Sequence, residues 1–419
     1  MSEPAARSLD EWLRLQERLH PRSIELGLGR VRAVAQRLAL PAKSIFTLAI
    51  AGTNGKGSSA HLAAGIYRAA GYSTGLYTSP HLLHYTERVQ IDGAPVSEVA
   101  LCRAFAAIEA ARGEISLTYF EYGTLAALWL FREAGVQVQV LEVGLGGRLD
   151  AVNLVDADVA LITNVGLDHQ DYLGPDRESI GREKAGILRS ARPAVLVERA
   201  PPDSVSAAAQ TAAPALRLGR DFDYERQADG RWCWQRGETR LRELPAPGLP
   251  GAIQYQNAAG VIAAVLAGAA SRPVAEEAIR KALPQLRLRG RCEIYRGLLL
   301  DVAHNLESAQ VLAQQLAAQP RPRVLLLGML SDKPVAAVAQ CLAPHLQRIL
   351  TVGLPGPRGL SAAALAQQLQ AAGIAAQGCE NMAEALQAAR AALPAEGQVL
   401  VAGSFLTVAA AIEELDRHG

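Results

Sequence analysis

A glycine-rich turn with a single lysine, set between a predicted strand and a predicted helix, constrains this chain more than any other feature. Residues 46 to 51 form a short apolar run with β-branched members, which is typical of a buried strand. Residues 52 to 58 (Gly-Thr-Asn-Gly-Lys-Gly-Ser) follow directly, and the alanine-rich residues 60 to 70 predict a helix. Strand, turn and helix in this order predict a phosphate-binding loop.

Such a turn binds anions for physical reasons. Its glycines let backbone N–H groups converge on phosphate oxygens, the helix N-terminus adds a positive dipole, and Lys56 places a positive charge at the β- and γ-phosphates. The spacing departs from the standard phosphate loop because Gly57 separates Lys56 from the hydroxyl of Ser58. Taken alone, the turn therefore also fits a tight glycine turn with a solvated lysine.

The composition favours small-molecule chemistry in two or three domains. A length of 419 residues, half of them hydrophobic, exceeds the roughly 100 to 200 residues of one domain. The 42 basic and 41 acidic residues nearly cancel, which argues against nucleic acid as a partner. Five scattered cysteines without a Cys-x-x-Cys pair indicate neither a disulfide framework nor a zinc cluster. Because residues 1 to 10 lack a signal-peptide pattern and no window holds about 20 uninterrupted apolar residues, we expect a cytoplasmic protein without membrane contact.

Three polar side chains that follow predicted strands are candidate metal ligands. Ser79 lies in the strand-and-turn stretch 71 to 82, Glu142 in the alternating run 136 to 143, and His169 just after the apolar run 159 to 165. The carboxyl ends of parallel strands meet at one edge of an α/β sheet, where ligands bind. Oxygen donors suit Mg²⁺, and a single histidine is tolerated. A turn serine and a structural histidine are the alternative interpretations.

Several other stretches fit two interpretations each. Glu121 precedes an apolar helix, where it fits either a partner of the helix dipole or a substrate-facing carboxylate. The glycine-broken residues 24 to 31 fit a plain helix connector as well as a functional loop. Lys184 belongs to a charged trio on a predicted helix, which by itself fits a solvated face. Residues 200 to 249, with an aromatic patch at Trp232 and Trp234, predict short surface strands or a hairpin.

The second half of the chain predicts another α/β domain. After a proline- and arginine-rich stretch, strands are predicted at residues 298 to 301, 324 to 327, 349 to 352 and 399 to 402, with helices between them. We predict an α/β fold with an N-terminal doubly wound, P-loop ATPase-like domain and a smaller C-terminal Rossmann-like α/β domain. The predicted bounds are 1–286 for the first domain, 287–296 for a linker and 297–419 for the second domain.

Seven motifs in one order resemble the folylpolyglutamate synthases and dihydrofolate synthases, which are related to the Mur peptide ligases. Beside the phosphate loop they are Tyr-Thr-Ser-Pro-His-Leu at 77–82, Leu-Thr-Tyr-Phe-Glu at 117–121, Glu-Val-Gly-Leu-Gly-Gly-Arg-Leu-Asp at 142–150, Asp-His at 168–169, Glu-Lys-Ala-Gly-Ile at 183–187 and Asp-Val-Ala-His-Asn at 301–305. That family also places a glycine between the lysine and the hydroxyl of the loop. The chain departs from it at Val152, where members commonly have threonine.

The resemblance implies an ATP-dependent amide ligase that adds L-glutamate to 7,8-dihydropteroate and to tetrahydrofolates through an acyl phosphate. It implies ATP as co-substrate, two Mg²⁺ ions, only small-molecule partners and a monomeric protein. The catalytic residues that it implies are Lys56, Glu142, His169 and a carbamylated Lys184, and the implied metal ligands are Ser79, Glu142 and His169.

The same resemblance implies two sets of binding residues. The implied ATP contacts are Asn54, Gly55, Lys56, Gly57, Ser58, Asn257, Arg291, Asp301 and His304. The implied pterin-binding residues are Leu26, Gly27, Leu28, Thr118, Tyr119, Phe120, Glu121, Leu149, Asp150 and Ala151, and the stretch from Leu26 to Arg30 is expected to cover the pterin.

Two other functions compete with this interpretation. A Mur-type ligase of peptidoglycan precursors shares the chemistry, but the segments at 118–121 and 149–151 favour a pterin. A non-ligase P-loop nucleotide switch would use the phosphate loop without an acyl acceptor. The chain has no Asn-Lys-x-Asp segment to bind guanine, and a switch would leave the predicted metal ligands without a role.

Overall fold

The structure is a computed structural model that describes residues 7 to 22, 24 to 42 and 44 to 417. Residues 1 to 10 were predicted to lack a signal-peptide pattern, and residues 1 to 6 of this stretch lie outside the described residues. The chain forms two compact units, Met1–Gly248 with Gln254–Leu286 and Leu249–Ile253 with Arg287–Gly419. In the described part of the chain, no helix is both long and apolar enough to cross a membrane.

The first unit contains ten helices and eleven strands among its described residues. The helices are α1 Leu9–Leu19, α2 Gly29–Arg37, α3 Lys56–Ala69, α4 Glu98–Arg112, α5 Tyr119–Glu133, α6 Gln170–Leu173, α7 Arg177–Ala185, α8 Asp203–Ala209, α9 Ala252–Ala267 and α10 Glu276–Ala282. The strands are β1 Phe46–Ala51, β2 Thr74–Tyr77, β3 Val89–Ile91, β4 Ala94–Pro95, β5 Val138–Glu142, β6 Val159–Ile162, β7 Ala194–Leu196, β8 Ala215–Arg217, β9 Asp223–Arg226, β10 Trp232–Arg236 and β11 Thr239–Leu244.

An eight-stranded sheet in the order β4-β3-β2-β5-β1-β6-β7-β8 forms the centre of this unit. All neighbours from β2 to β8 are parallel, whereas β3 and β4 pair antiparallel at one edge. The strand that follows β1 in the chain, β2, lies on one side of β1 in the sheet. The strand that follows β5, β6, lies on the other side of β1, so the strand order reverses at β1. Ligands bind at such a switch point, outside the carboxyl ends of the strands.

Burial on both faces explains the composition of the central strands. All six residues of β1 and all five of β5 are buried, as expected where helices cover both faces of a parallel sheet. The predicted alternation over residues 136 to 143 therefore does not mark a half-exposed strand. Gly75 in β2 is required by packing, because a Cβ there would lie 2.5 Å from the Phe131 ring of α5.

Residues 223 to 244 form a three-stranded antiparallel sheet in the order β11-β10-β9. Short strands were predicted here, but the expected aromatic surface patch was wrong. Trp232 and Trp234 are fully buried in the first unit, and their indole N–H groups donate to the carbonyl oxygens of Pro245 and Ala259. The two indoles therefore pack into the interior with satisfied donors, whereas most other residues of this sheet are partly or fully exposed.

The second unit holds a six-stranded sheet in the order β12-β13-β17-β14-β15-β16. Its strands are β12 Glu293–Tyr295, β13 Leu298–Leu300, β14 Arg323–Leu327, β15 Arg348–Thr351, β16 Gln377–Gly378 and β17 Gln398–Ala402. Its helices are α11 Leu306–Ala318, α12 Val335–Leu342, α13 Ala362–Ala371, α14 Met382–Ala391 and α15 Phe405–Arg417. The predicted alternation of strands and helices is confirmed, and β12 is the one antiparallel strand of this sheet.

The stretch predicted as a linker, residues 287 to 296, contains β12, which pairs with β13 in the second sheet. The compact second unit begins at Arg287 and also includes residues 249 to 253. The three domain bounds derived from the sequence stay predictions.

Candidate active site

The glycine-rich turn lies at the carboxyl end of β1 and opens α3 at Lys56. Two of its glycines have left-handed backbones and closely packed neighbours. A Cβ on Gly52 (φ +153°) would lie 1.7 Å from Thr163 Oγ1, and one on Gly55 (φ +80°) would lie 2.9 Å from Asn257 Oδ1. Glycine is therefore needed at both positions. The packing also brings Asn257 of α9, a predicted nucleotide contact, against the turn.

Two lysines converge on the backbone of this turn. Lys56 Nζ donates to the carbonyl oxygens of Gly52 at 3.0 Å and Thr53 at 3.1 Å. Lys184 Nζ, from α7, donates to the same Gly52 oxygen at 3.0 Å, and only 4% of this residue is exposed. The interpretation of Lys184 as a solvated helix face is wrong. Two ammonium groups beside a helix N-terminus make this turn an electropositive site.

Glu142 ends β5, next to β1 in the sheet, and is buried beside the first turn of α3. Its Oε2 accepts a hydrogen bond from the Ser79 backbone N–H at 3.2 Å. A Cβ on Gly57 would lie 3.6 and 3.7 Å from its two carboxylate oxygens. The fold therefore brings together Ser79, Glu142 and the phosphate loop, although their sequence positions are far apart.

His169 lies at the N-cap of α6, in the segment that follows β6 on the other side of β1. Its backbone is left-handed (φ +54°), which is uncommon for a residue with a side chain. Its N–H donates to Asp168 Oδ1 at 2.9 Å, and the same oxygen lies 4.0 Å from Nε2 of the ring. The Asp168 carboxylate therefore fixes the backbone of His169 and lies near its ring.

The candidate metal ligands form a small donor set. Among the described residues, no three His, Cys, Asp or Glu side chains form a cluster able to hold an ion. Ser79, Glu142 and His169 would offer one hydroxyl, one carboxylate and one imidazole. Such a small set fits Mg²⁺, which keeps several waters and is held by one or two carboxylates together with substrate phosphates.

The three segments predicted to bind a pterin meet in the structure. The Gly27 N–H donates to the Leu149 carbonyl oxygen at 3.1 Å. Arg30 donates to Glu121 through Nη2 at 3.2 Å and Nε at 3.5 Å, and it also pairs closely with Glu25. The first turn of α2 is thus joined to the start of α5, and the loop before α2 is joined to the end of the Gly-rich segment.

Glu121 is the third residue of α5 and closes a capping box with Thr118. The Thr118 N–H donates to Glu121 Oε2 at 2.8 Å, and the Glu121 N–H donates to Thr118 Oγ1 at 3.2 Å. The same carboxylate, only 3% exposed as a residue, pairs with Arg30. Its role as partner of the helix N-terminus is therefore confirmed, and the pair with Arg30 was not predicted.

The remaining pterin-segment residues pack along the glycines after Glu142. The Phe120 ring lies against Gly144, where a Cβ would come within 2.5 Å of it. Asp150 accepts hydrogen bonds from the backbone N–H groups of Leu145 at 2.8 Å and Val152 at 2.9 Å. Burial raises the pKa of Asp150 to about 7, although these N–H groups and nearby Lys56 oppose the shift. Ala151 and Val152 are buried beside it.

In the second unit, Asp301 is the centre of the predicted nucleotide contacts. Its Oδ2 accepts from the Cys292 N–H at 2.9 Å and from the Cys292 thiol at 3.3 Å, and its Oδ1 accepts from the Ala303 N–H at 2.8 Å. Burial raises the pKa of this carboxyl, with Arg291 acting in the opposite direction. The thiol of Cys292 was missed by the sequence analysis, because a lone cysteine carries no motif.

The other two predicted nucleotide contacts of this unit both lie near the ring of Phe405. The Arg291 guanidinium lies 5.5 Å from the Phe405 ring centroid, and the His304 ring lies 6.5 Å from it. His304 Nδ1 lies 2.9 Å from the Val302 carbonyl oxygen. Phe405 follows β17, which neighbours β13 in the sheet. Its place after a strand end was a signal that could have identified it.

The remaining predicted residues also take defined positions. The Asn54 N–H donates to Asn164 Oδ1 at 2.8 Å, and Ser58 is buried in the first turn of α3. Leu26 and Leu28 pack partly buried against the core of the first unit. The Tyr119 ring lies under the guanidinium of Arg88, at 5.4 Å.

Comparisons with known proteins identify the family. The Mur ligase middle domain matches residues 50–265, and the glutamate ligase domain of Mur ligases matches residues 290–405. The dihydrofolate synthase/folylpolyglutamate synthase of Escherichia coli (strain K12) is 45% identical over 418 residues, which cover 98% of this chain and 96% of that protein. The chain belongs to the dihydrofolate synthase/folylpolyglutamate synthase family. The predicted family and α/β fold are confirmed.

Solved structures of this family show the same fold over the whole length. The E. coli FolC structure in complex with DHPP and ADP superposes with a TM-score of 0.93 at 44% identity, covering all of both chains. A bifunctional folylpolyglutamate synthase/dihydrofolate synthase from Yersinia pestis, complexed with AMPPNP and a Mn ion, superposes with a TM-score of 0.90 at 43% identity, covering 99% of this chain and all of the other.

Family membership also confirms the predicted enzyme class. The chain is an ATP-dependent ligase of folate synthesis that works on small-molecule substrates. Neither the Mur-type peptidoglycan ligase nor the nucleotide switch is favoured by these relatives.

Proposed function

We propose that this chain adds L-glutamate both to 7,8-dihydropteroate and to tetrahydrofolates through an acyl phosphate. One observation carries the proposal: the segment from Glu142 to Ala151 touches both halves of the site. Glu142 lies beside Gly57 of the phosphate loop, whereas Leu149 binds Gly27 of the predicted pterin loop. An acceptor held at one end of this segment would present its carboxylate to a nucleotide held at the other.

The proposed reaction has two steps. An acceptor carboxylate oxygen attacks the γ-phosphorus of ATP and ADP leaves, which forms the acyl phosphate. The amine of L-glutamate then attacks the acyl carbon, and the tetrahedral intermediate releases phosphate and leaves an amide. Lys56 and the N–H groups at the start of α3 would stabilise the charge on the transferred phosphoryl group, so positioning and electrostatics supply most of the acceleration.

A divalent ion would be held near Glu142. The Y. pestis relative with AMPPNP and a Mn ion supports a metal–nucleotide site, and we propose two Mg²⁺ ions with Ser79, Glu142 and His169 as protein ligands. Bound Mg²⁺ neutralises phosphate charge in such reactions. We further propose that Lys184 carries a carbamate, formed when its neutral amine adds CO₂ and releases a proton. The burial of Lys184 and its hydrogen bond to the Gly52 carbonyl oxygen of the phosphate loop support this proposal.

The proposed nucleotide contacts come from both units. Asn257 lies against Gly55 in the first unit. In the second unit, Asp301 accepts a hydrogen bond from the Cys292 N–H. The side chains of Arg291 and His304 both lie near the Phe405 ring. The E. coli relative in complex with DHPP and ADP supports binding of these two ligands by this chain. A monomeric state and a cytoplasmic location remain predictions.

Phosphate release tests the proposal directly. We expect the purified protein, with ATP, Mg²⁺ and L-glutamate, to release phosphate when either dihydropteroate or tetrahydrofolate is added. Release with tetrahydrofolate alone would reduce the function to polyglutamylation. Release that does not require glutamate would contradict ligation, and release with neither acceptor would overturn the folate assignment.

The pair of Arg30 with Glu121 supports a separate prediction about the pterin loop. Arg30→Gln removes the cation that holds this loop to α5, so we expect KM for both pterin acceptors to rise about tenfold while KM for ATP stays unchanged. The variant also leaves Glu121 buried without its cation, which costs stability. Steady-state kinetics and Tm measure the two effects.

A double variant separates the effect on the pterin loop from the loss of stability caused by the unpaired Glu121 carboxylate. Glu121→Gln keeps an oxygen for the capping box, so Arg30→Gln with Glu121→Gln should recover much of the lost Tm without recovering the acceptor KM. An equal rise in the KM for ATP would show that the pair acts on the whole fold rather than on the loop.

A further inference from the structure

Arg88 lies on a short 3₁₀ turn, Tyr85–Arg88, and its guanidinium is held in one orientation. Its Nε donates to His81 Nδ1 at 2.8 Å. Its planar head lies over two aromatic rings, at 5.2 Å from the centroid of Tyr85 and 5.4 Å from that of Tyr119. Three contacts from three elements thus fix a half-buried guanidinium, so little rotational freedom remains to be lost when it binds an anion.

This cation has no carboxylate partner in the described part of the chain. The nearest acid in sequence, Glu87, instead accepts the backbone N–H groups of residues 82, 83 and 84 at 2.7, 2.9 and 2.7 Å. Two other half-buried arginines of this unit do have carboxylate partners: Arg30 pairs with Glu121, and Arg112 with Glu109. An oriented guanidinium whose terminal nitrogens face no protein acid is suited to bind a carboxylate from a ligand.

The location of Arg88 indicates which ligand group this is. Tyr119, under the guanidinium, belongs to the proposed pterin-binding segment. His81, the hydrogen-bond partner, follows Ser79 by two residues, and the N–H of Ser79 binds Glu142 beside the phosphate loop. Arg88 is therefore linked to the pterin end of the site on one side and to the phosphate end on the other.

We propose that Arg88 binds a carboxylate of the acceptor substrate and so selects acceptors that carry one. In dihydropteroate this is the benzoate carboxylate itself. In a folate it is the α-carboxylate of the terminal glutamate, which leaves the γ-carboxylate to be phosphorylated. The inference rests on the proposed function and adds a specificity-determining residue to it.

Binding of matched ligands tests this role without turnover. The dissociation constants of 7,8-dihydropteroate and its neutral carboxamide are measured by calorimetry on the full-length protein and on Arg88→Gln. We expect Arg88→Gln to weaken dihydropteroate binding about ten- to hundredfold and to leave carboxamide binding unchanged. Arg88→Lys keeps the charge but loses the planar fork, so its loss should be smaller and again confined to the carboxylate ligand.

Controls separate this role from a structural one. Arg192 pairs with Asp158 at 2.9 Å on the surface of the same unit, so Arg192→Gln should bind both ligands like the unchanged protein. Equal weakening of both ligands by Arg88→Gln, or of neither, would overturn the proposal. If Arg88→Gln does not fold, Arg88→Lys alone decides: an unchanged ratio of the two constants overturns it. Absence of glutamate-dependent phosphate release in the unchanged protein would instead contradict the proposed function.

Discussion

We expect Lys56→Ala to lower kcat for glutamate-dependent phosphate release about a hundred- to thousandfold with both acceptors. Lys56 is the first residue of α3, and its ammonium lies at the mouth of the glycine turn, within 3.1 Å of two of its carbonyl oxygens. Without it, the charge that develops on the transferred phosphoryl group loses the cation of the phosphate loop. Stopped assays of phosphate release with each acceptor measure the loss.

The Tm of the variant distinguishes a catalytic role of Lys56 from a role in folding. Because alanine is an excellent helix former, Lys56→Ala should leave Tm nearly unchanged. Lys281→Ala, at an exposed position of α10, is the matched control and should keep both activity and Tm. A fall in Tm as large as that in activity would mean that Lys56 mainly holds the turn together.

The second large effect is expected for Glu142→Gln. Glutamine keeps the shape of the side chain and an oxygen that can accept the Ser79 N–H, but it removes the negative charge beside Gly57. A hard divalent cation prefers a carboxylate, so the Mg²⁺ concentration for half-maximal activity should rise at least about tenfold. We expect kcat at saturating Mg²⁺ to fall about a hundredfold as well.

Magnesium titrations of phosphate release measure this effect. Glu133→Gln, at the exposed end of α5, is the control and should titrate like the unchanged protein. Lost activity with an unchanged Mg²⁺ dependence would contradict a role for Glu142 in holding metal and would make it a support of the Ser79 turn.

Much of the fold could be predicted because local patterns agree with it. The β1 strand, the glycine turn and α3 are adjacent in sequence, and each has a clear signature of apolar run, glycines or alanines. The alternation of strands and helices in the second unit was equally plain. Residues 223 to 244 were harder, because burial of Trp232 and Trp234 depends on α9 and other distant elements and not on their own strand.

The candidate site was predictable only as a set of residue types at strand ends. Ser79, Glu142 and His169 lie at or after the ends of strands that neighbour β1 or are one strand removed from it, so the topology puts them at the same edge of the sheet. The dual role of Glu121, as capping residue and as partner of Arg30, was not predictable, because the capping box spans three residues whereas the ion pair spans 91. Cys292 lacked any motif, and the only signal for Phe405 was its place after a strand end.

By itself, the sequence determined the chemistry that this protein can perform: a phosphate-binding loop, its lysine, hard oxygen donors and a family-specific order of motifs. Only the tertiary structure decided which of these groups meet. It placed Lys184 on the same carbonyl oxygen as Lys56, joined Gly27 to Leu149, and set the Arg88 guanidinium over the rings of Tyr85 and Tyr119. The physical reason is that these contacts depend on sheet order and helix packing, which act between segments that are distant in the chain.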